Sequence, residues 1–414
     1  MNGFYSEGCA AFYIAVVTTA LPPPPSMKKR ILFYCQSLLG IGHFIRSREL
    51  LFALRDFEVC FLYGGEAVPG FDWPAWVEVV YLPALRSDAA FENLYVVEGE
   101  ATLEEVKAQR KALLLATFDR FAPDILLIEL FPFGRGKFKF ELLPLLAHAR
   151  ATNPTGKIAC SLRDILVSRT NQSRYQTDVV KTMNQYFDLL LVHSDPRVQR
   201  LEETFGSVAQ LSCPVAYTGY VAQPSPALSA SHDDTPLILV SIGGGRVGHE
   251  LIECSLAASA LIETPHRMQI FAGPHIPAEV FERLQAQAAP LAHVTLSGHT
   301  TEFTAWLRRA SLSISMAGYN TCMDILVARA NALVYPFHEH DNDEQTRRAH
   351  KLAQYGFVSV IEPAQLQPEH LAAEITRCLI APLTASATAL DLDGANHTAK
   401  LLDGFLTNAG SHES

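Results

Sequence analysis

The stretch LILVSIGGGRVGHE, residues 237–250, decides the fold. An apolar run of strand length, 237–243, passes into three consecutive glycines and then into a polar segment suited to a helix start. A backbone bare of side chains at such a turn lets a charged ligand approach the free N–H groups of the helix that follows. The turn is not GxGxxG and lacks the Lys-Ser/Thr ending of a P-loop, which disfavours a redox dinucleotide or ATP hydrolysis and leaves a diphosphate as the ligand it suits. The plainer alternative is a βα turn whose glycines serve only the backbone.

The same rhythm continues in both directions. Downstream, strands are expected at 267–273, 293–298, 311–315, 332–337 and 357–362. Upstream they are expected at 31–37, 57–63, 124–130, 157–163 and 188–194, with helical patterns at 48–55 and 103–121. Strands alternating with helices specify parallel sheets. The Pro-, Ser- and Asp-rich segment VAQPSPALSASHDDT, 221–235, has no periodicity and reads as a linker. The expected organisation is therefore α/β, two Rossmann-like domains facing across a cleft. An N-terminal extension (1–26) and an acceptor-side domain (27–221) precede the linker (222–235), and a ligand-binding domain (236–405) and a tail (406–414) follow it. The extension carries an apolar run, 10–21, too short to span a bilayer and without a basic leader, so a chain beginning at Met27 is expected to suffice.

Composition excludes several classes. The 414 residues, half of them hydrophobic, support two cores, and the net charge of -10 argues against a nucleic-acid partner. Eight cysteines stand singly without CxxC pairs, as in a reducing compartment. The expected setting is cytoplasmic, with peripheral membrane contact left open.

Four further segments carry chemistry. LGIGHFIR, 39–46, places Gly40, Gly42, His43 and Arg46 at the turn after the first strand, where a neutral imidazole can accept a proton. SGHTTEF, 297–303, follows a strand of the second half. In SMAGYNTCMDIL, 315–326, Gly318 would let a phosphate approach, and Asp324, in the helix behind it, could accept hydrogen bonds from ribose hydroxyls or simply complement the helix dipole. HEHDNDEQTRRAHKL, 338–352, is dense in groups that pair with sugar hydroxyls. His338, His340, Asp341 and Asp343 lack helical metal-ligand spacing, so no metal is expected.

In order and spacing these segments resemble the GT-B glycosyltransferases, most closely the group containing the N-acetylglucosaminyl transferase of peptidoglycan lipid synthesis and, within it, an uncharacterised branch. The resemblance runs over most of residues 30–402 and is specific in the second half. It implies a UDP-linked sugar donor whose diphosphate lies beside Gly243, Gly244, Gly245 and Arg246. Gly298, His299, Thr300 and Phe303 would flank the nucleobase. Ala317, Gly318, Tyr319, Asn320, Thr321 and Asp324 would hold the phosphates and ribose, and Glu344 and Gln345 the donor sugar. Asp324 stands where the peptidoglycan enzyme has Glu, and Glu344-Gln345 replaces two glutamines. Gly40, Gly42 and Arg46 would form an acceptor-side loop, with His43 as base and Glu129 or Asp164 as the alternatives. The implied reaction is metal-independent displacement onto an acceptor hydroxyl, with no cofactor, since the nucleotide sugar is a substrate. The acceptor, whether small molecule, glycan or lipid-linked, stays open. Rival readings are a nucleotide-sugar hydrolase, a 2-epimerase, and a non-catalytic nucleotide-sugar-binding protein.

Overall fold

A computed structural model describes residues 28–38, 42–66, 72–87, 93–97, 99–167, 171–223, 235–337, 343–382 and 389–409. The extension 1–26, Gly40, most of the expected linker, and His338, His340 and Asp341 lie outside the described residues.

The first half builds a parallel sheet in the order β3-β2-β1-β6-β7-β8-β9. Its strands are β1 (Arg30–Cys35), β2 (Glu58–Tyr63), β3 (Val77–Tyr81), β6 (Ile125–Glu129), β7 (Lys157–Arg163), β8 (Leu189–His193) and β9 (Val215–Tyr217). A short antiparallel pair, β4 (Leu85–Ser87) and β5 (Leu94–Val96), stands beside it. Continuous apolar runs such as ILLIE in β6 are buried along their whole length, as a sheet covered on both faces requires. Helices α1 (Gly42–Ala53), α2 (Leu103–Phe121), α3 (Lys139–Thr152) and α4 (Gln172–Tyr186) make the connections. Helix α2 covers the residues expected of it, closed at its start by a Thr102–Glu105 capping box.

The second sheet runs β12-β11-β10-β13-β14-β15. Its strands are β10 (Leu237–Ser241), β11 (Arg267–Phe271), β12 (Val294–Ser297), β13 (Leu312–Met316), β14 (Ala332–Tyr335) and β15 (Ser359–Val360). Helices α5 (His249–Ser259), α6 (Ala278–Ala288), α7 (Phe303–Arg309), α8 (Tyr319–Ala328), α9 (Glu344–Gln354) and α10 (Pro368–Ile380) alternate with them. Two apolar layers per sheet separate strands from helices.

The last helix, α11 (Gly394–Ala409), crosses back. It packs on α1, and its Leu402 lies in one core with Ile31, Phe33 and Leu50 of the first half. The expected boundary at 405 assigned this helix to the second domain and 406–414 to a tail. The helix instead runs to Ala409 and shields the first sheet, because Leu402, with Ala395, Ala399 and Phe405 beside it, finds its apolar partners there.

A buried ionic cluster joins the halves. Arg348 of α9 donates to both oxygens of Asp164 at 2.9 Å, to Glu344 at 2.6 Å and to the Ala317 carbonyl at 3.0 Å. Arg163 closes the set onto the other Glu344 oxygen. With Arg348 removed, Asp164 would be left buried without its guanidinium. Arg348→Met should therefore lower stability by about 3–5 kcal/mol in urea unfolding. A loss under about 1 kcal/mol would show that the cluster does not hold the halves together.

Candidate active site

Both sheets reverse strand order once, β1 against β6 in the first and β10 against β13 in the second. The loops leaving such a pair part in opposite directions and open a crevice at the carboxyl ends of the strands. The expected site residues gather at these two crevices.

At the first, His43 occupies the opening turn of α1 just after β1, and Glu129 is the last residue of β6. His43 Nδ1 lies 2.6 Å from Glu129 Oε1. Arg46, one turn further along α1, donates to the same oxygen, its Nη2 3.1 Å from His43 Nδ1. Burial raises the Glu129 carboxyl, but His43, Arg46 and Arg135 outweigh it and hold the group well below the usual carboxylate range. An ionised Glu129 fixes the proton on Nδ1 and leaves Nε2 as a bare acceptor. Burial, together with Arg135 and Arg46, pushes His43 down to about 4, against the upward pull of Glu129.

Glu129 and Asp164, the alternative bases, thus have different roles. Glu129 orients His43, and Asp164 is taken up by Arg348. Arg46, expected in an acceptor-side loop, is buried in α1 against Glu129 and over the Tyr319 ring at 5.5 Å.

At the second crevice the glycines divide by purpose. A side chain on Gly245 would meet the Ala272 carbonyl at 2.5 Å, and one on Gly248 the Met316 sulfur at 2.3 Å. Both residues have φ of +87°, so packing and backbone require glycine there. Gly243 has φ of +66° and faces Thr321 across the strand pair, whereas Gly244, Gly298 and Gly318 open onto free space within 4 Å. Gly244 and Gly318 leave room for a ligand, and Gly318 is the N-cap of α8, whose first N–H groups belong to Tyr319, Asn320 and Thr321. Arg246 is exposed on the turn. Phe303 and Trp306 pack edge-on against Phe271 beneath the Gly298 loop, in which Thr300 caps the Glu302 N–H. His299 is close enough to influence His275.

Asp324 is half-buried on α8. Burial and the Glu49 carboxyl push it up to about 7, against a contact with the Thr304 hydroxyl. Glu344, expected at the donor sugar, has its carboxylate held by Arg163 and Arg348, and Gln345 accepts the Phe337 N–H at 3.2 Å. Here the residue that the sequence points toward the sugar is part of the clasp between the halves.

The two crevices face each other. Asn320 Nδ2 donates to the Gly42 carbonyl at 3.3 Å, so the opening turns of α1 and α8 meet. The pairing of Glu129 with His43 is not legible in the sequence, nor are the places of Arg135, Arg163 and Arg348. The available signal for the first was a single carboxylate, Glu129, inside the otherwise apolar run ILLIEL, 125–130.

The fold is GT-B, two Rossmann-like sheets with a C-terminal helix returning to the first. Residues 239–402 match the model of the glycosyltransferase family 28 C-terminal domain, and the chain resembles the peptidoglycan N-acetylglucosaminyl transferases. It is 26% identical over 185 residues to the UDP-N-acetylglucosamine–N-acetylmuramyl-(pentapeptide) pyrophosphoryl-undecaprenol N-acetylglucosamine transferase of Rhizobium johnstonii. That match covers 44% of this chain and 50% of the relative, so the chain spans about half the length of the curated relative it matches. The crystal structure of MurG from Acinetobacter baumannii shares the fold at a TM-score of 0.56 and 16% identity, over 91% of this chain and 99% of that one. A putative UDP-N-acetylglucosamine 2-epimerase from Listeria monocytogenes shares it at 0.60 and 12%, over 93% and 98%.

The burial of His43 makes folding depend on pH in one direction. A free histidine titrates near 6.5, so folding expels a proton from this side chain between pH 6.5 and 4. Its contribution to stability is complete above pH 6.5 and is lost as the pH falls toward 4. Titration of the His43 ring by NMR should give a midpoint near 4, and a midpoint near 6.5 would contradict the buried dyad.

Proposed function

We propose that the protein transfers a sugar from a nucleotide-sugar donor, UDP-linked, to an acceptor hydroxyl by metal-independent displacement at the anomeric carbon. The observation that carries this is the His43–Glu129 dyad set opposite the Gly244 and Gly318 openings. In this reading the donor diphosphate lies against Gly244 and the N-terminus of α8, where backbone N–H groups and the helix dipole meet its charge in place of a metal or cofactor. Asp324 takes the ribose, and the Gly298 loop, with Arg246, His299, Thr300 and Phe303, takes the nucleobase and outer phosphate. His43 Nε2 removes the acceptor proton as the bond to the anomeric carbon forms and the nucleoside diphosphate leaves; Glu129 steadies the imidazolium. Gln345 borders the sugar, and Glu344 reaches it only if Arg163 yields.

The partners of this reading are the donor and an acceptor with a hydroxyl group, with no nucleic acid. A reducing, cytoplasmic setting agrees with the cysteines, all buried and unpaired among the described residues. Among those residues no helix is long and apolar enough to cross a membrane.

The same fold is found in a putative 2-epimerase, so the fate of the sugar is the deciding readout. Incubation of nucleotide sugars with candidate acceptors should yield glycosylated acceptor and free nucleoside diphosphate. His43→Ala should reduce turnover by about 10²- to 10⁴-fold with nucleotide affinity nearly unchanged. Isomerised or merely hydrolysed sugar, or a His43→Ala rate within about twofold of the parent, would overturn the proposal.

A further inference from the structure

The charges around His43 do not balance. Glu129 supplies one carboxylate to two guanidiniums, Arg46 and Arg135. His43, pushed down by burial, adds no charge at neutral pH. The neighbouring clasp, by contrast, pairs Arg163 and Arg348 with Asp164 and Glu344.

Arg135 is where the excess resides. Its side chain is 8% exposed, its Nη2 stands 3.7 Å from Glu129 Oε2, and neither Nε nor Nη2 has a hydrogen-bond partner among the described residues. Glu129 Oε2 likewise has none. Two other deeply buried guanidiniums among the described residues are saturated. Arg110 gives its protons to Glu141, Gln36 and the Pro83 carbonyl, and Arg348 to Asp164, Glu344 and the Ala317 carbonyl. The turn after β6 holds Arg135 in place. Its backbone is left-handed, with φ of +58°, and the turn is closed by hydrogen bonds from Gly134 to Leu130 and from Phe138 to Arg135. Tyr175 fastens it from outside through the Phe133 carbonyl. A buried, fixed guanidinium with unused donors and surplus positive charge is completed by an anion able to accept from its planar fork.

We propose that Arg135, with Arg46 beside it, forms a subsite for an anionic group, a phosphate or carboxylate, that the acceptor carries next to its reacting hydroxyl. This rests on the reading of His43 as the base. A carboxylate would bring the cluster to two positive and two negative charges, a phosphate would add up to one negative charge more, and either would anchor the hydroxyl near Nε2. The acceptor class is thus an anionic alcohol, such as a phosphorylated or carboxylated glycan or lipid headgroup.

The test uses the full chain labelled in histidine and inorganic phosphate as the probe. An anion at Arg135 lies beside His43, so phosphate should raise the NMR titration midpoint of His43 by about one pH unit. The rise should persist with UDP saturating the donor crevice and vanish in Arg135→Gln with UDP affinity retained. No rise in the parent protein, an equal rise in Arg135→Gln, or a rise abolished by UDP would overturn the proposal, the last by assigning Arg135 to the donor's own phosphate. Should Arg135→Gln fail to fold, Arg135→Lys keeps the charge without the fork and should lose most of the rise; an undiminished rise there also overturns it. Turnover of His43→Ala is separate. An unaffected rate would end the base assignment while leaving the phosphate titration of the parent protein as it stands.

Discussion

The guanidinium of Arg348 is the constraint on which the arrangement of the cleft depends. It reaches from the second half into the first to take both oxygens of Asp164, binds Glu344 on its own helix, and holds the Ala317 carbonyl just before α8. Its charge also lies over the Tyr319 ring at 5.5 Å, opposite Arg46, which approaches the same ring at that distance from the first half. Tyr319 in turn accepts the Val221 N–H where the chain leaves the first half. Buried ion pairs add little net stability, because desolvation cancels much of the attraction, but they tolerate few alternative geometries. Arg348 therefore acts chiefly on register. It aligns the α8 N-terminus with the turn that carries His43.

That alignment gives the two crevices complementary electrostatics. The second crevice offers backbone N–H groups and a helix N-terminus, which under the proposed function would meet a leaving group that accumulates negative charge. The first crevice offers a neutral imidazole whose Nδ1 is tied to an ionised carboxylate, which under the proposed function would take the acceptor's proton. Arg46 and Arg135 restrain Glu129 from drawing a proton onto the ring prematurely, since each cation beside the dyad disfavours the imidazolium.

The architecture was largely legible in the sequence because parallel strands covered on both faces are continuous apolar runs. KIACSLR was delimited residue for residue, as was the helix LEEVKAQRKALLLATFDRF. Strand β3 was not, since VEVVY lies at the sheet edge with much of its surface open, and β9 is three partly buried residues. The return of α11 escaped because local periodicity does not say which sheet an amphipathic helix covers. At the site, the turns bearing His43 and Gly244 were readable from strand ends and glycines. Pairings between residues far apart in the chain were not. Glu129 lies 86 residues from His43, and Asp164 lies 184 from Arg348. The consecutive glycines also concealed a division of labour, since Gly245 answers to the Ala272 carbonyl and Gly244 to open space.

The central claim is that one nucleotide sugar spans the two crevices with its reacting carbon facing His43. A crystal structure with UDP and a non-transferable UDP-sugar analogue tests it most directly. The diphosphate should lie against Gly244 and the N–H groups of Tyr319 and Asn320, the ribose on Asp324, and the anomeric carbon on the His43 side of the cleft. Nucleotide bound instead in the cavity lined by Glu49, Phe52, Gln223 and Asp393, behind α1, would contradict it.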